Sequence, residues 1–362
     1  MADTIFASTR KGLVEFRRTA RGWTQHAVHF LGSPVSVTLA GRDGATLIVA
    51  LNLGHFGVKL HRSTDAGATW KELAPPAFPK ADGKAADDAA PANKGIWSLA
   101  FADPANPNAL WCGTAPAGLF HSPDLGDTWS MNQGLWTMPE RSKWFGGGTV
   151  DTILHSICVD PRNARRVAVA ISCGGVNLTE DGGKTWRVAS RGMFATYMPP
   201  VMKDEPSVQD PHMVVQSPSN PAVWWCQHHN GIFRSTDDLA GWHEIINVPV
   251  SNFGFAVAVH PKNADVAWFV PAISDEIRAP VGGALAATRT TDGGKSFDVI
   301  RRGLPQGGAF DLIYRHGLAV DSTGRQLAMG STTGGLWSSD DGGDGWTLIS
   351  AHLPPIHAIT MA

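Results

Sequence analysis

The chain has 362 residues, 43% of them hydrophobic and 17% charged, with a formal net charge of −2. Such a composition buries a large core and is not that of a disordered chain; with no dense Lys/Arg run, nucleic acid is set aside as a partner. No apolar stretch approaches the roughly 20 residues of a membrane span, so no membrane partner is expected.

In chain order, the first segment lacks a basic stretch followed by an apolar one and reads as no signal peptide. Cys112, Cys158, Cys173 and Cys226 lack metal-knuckle spacing and read as free thiols, so a cytoplasmic location is expected. Residues 4–8 read as a strand, and Gly12-Leu13-Val14-Glu15-Phe16 starts another that leads to Trp23. After this partial unit an eight-residue pattern recurs. It reads Ser63-Thr-Asp65-Ala-Gly67-Ala-Thr69-Trp70, then Ser122 to Trp129, Thr179 to Trp186, Thr290 to Phe297 and Ser339 to Trp346, while Ser235 to Trp242 has lost the glycine. The closing aromatics stand 49 to 59 residues apart, which makes seven units with the first. Each unit has a first strand ending at Asp-Pro or a near equivalent (Asp103-Pro104, Asp160-Pro161, Ser217-Pro218, His260-Pro261), then two more strands, the recurring turn and a fourth strand. Four short strands per unit, separated by turn signals, read as propeller blades.

The recurring turn is similar to the Asp box, Ser-x-Asp-x-Gly-x-Thr-Trp, of the BNR-repeat, sialidase-like β-propeller families. Its chemistry is local: Asp and Ser/Thr bond the turn backbone, Gly supplies a conformation that bulkier residues resist, and Trp packs between units. The resemblance implies an all-β, seven-bladed propeller of four-stranded blades. As a single domain, 1–362, its blades fall at 1–30 plus 355–362, 33–75, 95–133, 152–190, 211–247, 252–302 and 313–351. The C-terminal segment, Pro355 to Met361, matches a first strand with nothing after it, so it is expected to complete the first blade and close the ring. Sialidases that share the repeat carry an Arg-Ile-Pro motif and six blades; this sequence has neither.

First strands line a propeller's channel. The position five residues before the Asp-Pro-like mark is His155, His212, Phe255 and His316 in units four to seven. His357 is the best match in the C-terminal strand, Ser98 or Trp97 in unit three and Ser36 in unit two. Four imidazoles at one level suit a divalent transition metal (Fe, Zn, Mn or Cu); the plainer reading is a ring of histidines bonded to water and backbone. The arrangement resembles, in geometry alone, the four-His iron site of carotenoid-cleaving oxygenases. Asp210, Glu276, His228 and Arg278 are candidate catalytic or substrate-contacting residues at the same mouth. Also there are His55, Asp151, His229, Asn230, Asp275, Asp311, Tyr314 and Arg315. Of three long connections, 75–95, 131–152 and 190–211, the second holds Trp136, Met138, Glu140, Arg141, Trp144 and Phe145 and is expected to wall a pocket.

Three functions follow. The first is a metal-dependent enzyme acting on a small molecule at the channel mouth, by hydrolysis, lyase chemistry or oxygenation. The second is a glycoside hydrolase using two carboxylates from Asp151, Asp210, Glu140 and Glu276. The third is a non-catalytic scaffold.

Overall fold

The computed structural model describes residues 2–79 and 90–362, so residues 80–89 of the long connection at 75–95 lie outside the described residues. Seven four-stranded antiparallel sheets form the blades. Their inner strands are Ile356–Met361, Val35–Ala40, Gly95–Asp103, Leu154–Val159, Pro211–Gln216, Gly254–Val259 and Leu318–Val320 for blades 1 to 7. Each inner strand touches the next, and the last returns to the first, so the ring is complete. The C-terminal strand Ile356–Met361 pairs with the N-terminal strand Thr4–Thr9, as the sequence predicts. Closure gives the first blade its inner strand, so no blade is left a strand short. No helix among the described residues is long and apolar enough to cross a membrane.

The recurring turns bond within themselves. Gly67 N–H donates to Ser63 Oγ at 2.8 Å, and Thr69 N–H donates to Asp65 Oδ1 at 2.8 Å. The same pair of bonds recurs around Asp124, Asp181, Asp292 and Asp341. The copy without glycine keeps the turn: Leu239 N–H donates to Ser235 Oγ at 3.1 Å, with Leu239 itself at φ +68°. Three of the five tryptophans after the turns bond the preceding blade: Trp70 Nε1 to His29 Nδ1, Trp186 Nε1 to Asn132 Oδ1 and Trp242 Nε1 to the Ala189 carbonyl. Between blades the core is apolar: Ile48 and Leu60 of blade 2 pack with Leu110 and Phe120 of blade 3, and Leu178 of blade 4 with Trp224 and Phe233 of blade 5. Each such fully buried side chain contributes about 1.5–3 kcal/mol relative to exposure.

Candidate functional site

The register picked out in the sequence coincides with a backbone irregularity. The inner strand of six blades bulges there, skipping Ser36, Trp97, His155, His212, the Phe255 region and His357. A bulge adds one unpaired residue and re-aims its side chain, so these positions leave the ladder together. Of the two candidates in blade 3, the bulge selects Trp97. In blade 7 the inner strand begins only at Leu318, and His316 precedes it with an isolated bridge to Ala358.

Among the described residues the four histidines are not gathered into one group of ligand atoms, and of the four only His212 belongs to such a group. His155 is fully buried, with Nδ1 at 3.0 Å from Ser156 Oγ and Nε2 without a partner. His316 Nε2 donates to the His155 carbonyl at 2.8 Å, spanning the channel from blade 7 to blade 4. His357 Nδ1 donates to the Val35 carbonyl at 2.9 Å. Three of the four thus spend a ring nitrogen on backbone carbonyls, His212 included. Burial is the main cause that holds the imidazoles of His155, His212 and His316 below the ordinary histidine value, His316 at about 4. The segment carrying Arg315 and His316 turns a tube into a cup with a floor: Arg315 also reaches blade 4, at 3.4 Å from Ser172 Oγ.

The cup is a cavity of about 1040 Å3, lined by His212, His316 and His357 but not by His155. On its wall, Asp210, His212 and His229 present ligand atoms that all lie within 4.8 Å of one another, the one such group among the described residues. His212 Nε2 and His229 Nδ1 each stand 3.5 Å from Asp210 Oδ2. Donor atoms bound tetrahedrally at 2.0–2.2 Å from an ion lie about 3.4 Å apart, so these separations suit an ion. The outward nitrogens are held too. His212 Nδ1 donates to the Gly254 carbonyl at 2.7 Å, and His229 Nε2 faces Asp275 Oδ2 at 3.7 Å. With Nδ1 protonated, neutral His212 turns a lone pair toward a buried carboxylate. Neutral His229 faces a carboxylate on each side and has one N–H to offer. A cation at the centre, proton or metal, resolves both contacts.

Asp210 is 6% exposed and its Oδ1 accepts from Cys173 N–H at 3.2 Å. Burial alone would raise its carboxyl; the contacts from His212 and His229, with the charges of His212 and Arg315, outweigh that and hold it well below the usual carboxylate range. Metal binding requires Asp210 ionised and the imidazoles neutral, so an ion would take over the positive charge that the His212 proton supplies in this balance. His212 stacks on Phe255, with ring centroids 4.5 Å apart, which fixes the ring plane. Gly147, from the loop before blade 4, lies against the cluster: a Cβ there would stand 3.4 Å from Asp210 Oδ2 and 2.9 Å from Cys173 Sγ.

Other candidates sit elsewhere. His228 is fully buried behind the wall, and its ring nitrogens meet the N–H groups of Asp210 and Asn230, each at 3.1 Å. It anchors the Asp210 backbone and does not reach the cavity; burial pushes its imidazole down to about 3. Glu276 is exposed and off the cavity, whereas Asp275 and Arg278 line it. Asp151 pairs with Lys94 at 2.7 Å, and Asp311 accepts from Ser331 Oγ at 2.7 Å and from Thr333 Oγ1. His55 packs at a tilt against the exposed Phe56. Of the 131–152 side chains expected to wall a pocket, only Phe145 does so. Arg141 lies 3.6 Å from the Trp136 ring and bonds the Ala117 carbonyl, so it folds the loop on itself. Of the four proposed glycosidase carboxylates, only Asp210 lines the cavity.

His229 was the less conspicuous of two adjacent histidines. His228 ends the strand Trp224–His228 and faces the sheet interior, whereas His229 lies just beyond it, where the chain turns over the mouth. Tyr197, from the 190–211 connection, also lines the cavity; its hydroxyl donates to the Val208 carbonyl at 3.1 Å, and its ring meets His229 edge-on. No local pattern in the sequence marks it.

No known family matches the sequence, and no curated protein is similar to it. Solved structures do share the fold. A GH74 xyloglucanase from Xanthomonas campestris superposes with a TM-score of 0.64 at 18% identity, over 98% of this chain and 52% of that one. An ancestral GH74 enzyme gives 0.59 at 20% identity, over 88% and 38%. YCF48 from Cyanidioschyzon merolae gives 0.55 at 14% identity, over 89% and 87%. The chain thus spans about half or less of the GH74 enzymes it matches. At these identities the likeness is one of β-propeller fold, shared by glycoside hydrolases and by YCF48, and it is compatible with an enzyme or a scaffold.

Proposed function

We propose that this propeller is a metal-dependent enzyme acting on a small molecule inside the cup, with Asp210, His212 and His229 as the ion's protein ligands. The observation that carries the reading is the orientation of the two imidazoles. Each turns one nitrogen to Asp210 at 3.5 Å, and each has an oxygen acceptor on its other side, Gly254 O or Asp275. That is the outer support found around metal-bound histidines. Two histidines and one carboxylate leave coordination positions open to the cavity, which suits Zn, Fe or Mn. A bound ion supplies Lewis acidity and an activated water, so the reading is of a hydrolytic enzyme. The chain's own part is to keep Asp210 ionised, fix the imidazole planes and surround the site with a walled cavity.

The test is elemental analysis of untagged protein, reconstituted with Zn(II), Fe(II), Mn(II) or Cu(II), beside Asp210→Asn and His229→Ala variants. Near-stoichiometric metal in the wild type, lost in both variants, is expected. Absence of metal after reconstitution overturns the proposal. Retention of metal in both variants moves the site elsewhere.

A further inference from the structure

The charges that line the cup do not balance. Arg10, Arg278 and Arg315 stand against Asp210 and Asp275, in a chain whose formal net charge is −2. Among the described residues, neither Arg278 nor Arg315 has a carboxylate oxygen within 4.0 Å. Arg278 Nε donates to the Asp275 backbone carbonyl at 3.0 Å, and a terminal nitrogen of Arg315 donates to Ser172 Oγ at 3.4 Å. Arg315 Nε is buried with no hydrogen-bond partner at all. Both guanidinium carbons stand 5.4 Å from the Phe255 ring centroid, so the two cations converge on the ring that also carries His212. Burying a cation without a partner is costly. Arg315, with its buried and unpartnered Nε, and the exposed Arg278 converging beside it stand next to the Asp210 cluster, which an ion would make more positive still, and together form a receptor for negative charge.

The rest of the lining differs. Phe56, Ile96, Trp97, Phe145 and Ile153, from blades 2 to 4, face the charged wall of blades 5 to 7. A ligand that satisfies both walls has a charged end and an apolar body.

We infer that the substrate is a small amphiphilic oxyanion, whose carboxylate or phosphate is held by Arg278 and Arg315 while its apolar part lies against Trp97 and Phe145. The inference rests on the reading of the cup as the reaction site and supplies its substrate class. Arginine is suited to it because its planar fork bonds two oxygens of one anion together.

The probes are 4-phenylbutyrate, its neutral amide and 3-phenylpropyl phosphate, titrated by calorimetry into chelator-stripped protein so that no ion recruits the anion. Bound metal is measured separately in reconstituted samples of the same proteins. The acid is expected to bind at least about tenfold more tightly than the amide. The exposed Arg278→Gln variant removes that preference, and Trp97→Ala weakens acid and amide alike. Tighter binding of the phosphate ester than of the acid assigns the oxyanion as a phosphate. Equal affinities for acid and amide, or an acid preference intact in Arg278→Gln, overturn the inference. Absence of an acid preference in protein that still takes up its metal removes the substrate class and leaves the metal reading. An acid preference in protein that never takes up metal does the reverse.

Discussion

Asp275 gives the sharpest test of an ion at the wall. Its Oδ2 lies 3.7 Å from His229 Nε2, on the side of the ring away from Asp210, and its side chain is 49% exposed. Replacing it with Asn keeps the shape and an oxygen acceptor but removes the charge. Carboxylates that support a metal-bound histidine typically contribute 10- to 100-fold in metal affinity, and the exposure of Asp275 puts it at the low end, about tenfold or 1.4 kcal/mol. Coulomb's law gives the same scale: a divalent ion and a carboxylate about 7 Å apart interact by about 1–2.5 kcal/mol at effective dielectric constants between about 80 and 40. Zinc affinity is measured by competition with a chromophoric chelator at fixed pH and ionic strength. Asp275→Asn should weaken binding about tenfold, with the loss shrinking as salt is added. Unchanged or tighter binding would refute the assignment of His229 as a ligand oriented by Asp275.

Three further outcomes follow. The imidazoles of His228 and His316 are pushed down by burial, to about 3 and about 4, while an unfolded histidine titrates near 6.5. The unfolded chain therefore binds more protons below about pH 6.5, and stability should fall as pH drops from there toward 4, by up to about 1.4 kcal/mol per pH unit for each histidine. Urea unfolding across that range checks this; His316→Gln should lower the slope, and a flat profile would contradict it. Leu239 occupies a left-handed conformation (φ +68°) that the five equivalent turns give to glycine at φ +87° to +92°. Leu239→Ala should cost about 2–4 kcal/mol from lost burial, and Leu239→Gly about 1 kcal/mol less because it relieves the backbone; an Ala variant as stable as the Gly variant would show that no strain is stored there. Gly147→Ala sets a Cβ 2.9 Å from Cys173 Sγ and 3.4 Å from Asp210 Oδ2. It should weaken metal binding with little change in unfolding, and unchanged affinity would show that this loop does not shape the site.

The fold was legible because its signals are local and repeated. Ser63, Asp65 and Gly67 specify their turn through bonds no more than four residues long, so each copy announces itself in sequence. The closing strand was legible because the first blade lacked one. The channel register was legible as well, since the bulge follows the spacing to the end of each inner strand. What the sequence could not convey is what a bulged residue meets across the ring. His155, His316 and His357 share a register with His212, yet His316 meets the carbonyl of His155 and His357 that of Val35, contacts between residues 161 and 322 positions apart. His228 and His229 look alike on paper; one residue of strand alternation puts the first in the sheet interior and the second over the cavity. Glu276 and Asp275 divide in the same way, on a loop with no period to separate them.

The bond from His316 to the His155 carbonyl has a mechanical meaning. A ring joined only along its rim deforms easily into an ellipse, because each neighbour-to-neighbour joint yields a little. A spoke between nearly opposite blades resists that mode. Blades 4 and 7 are coupled here through His316 and through Arg315 at Ser172. The same short segment carries one of the two convergent arginines, so the rigidity of the frame and the aim of its charge are set by neighbouring residues. Loosening the spoke would let the hub change shape, and the distance between Arg315 and the Asp210 wall would drift with it.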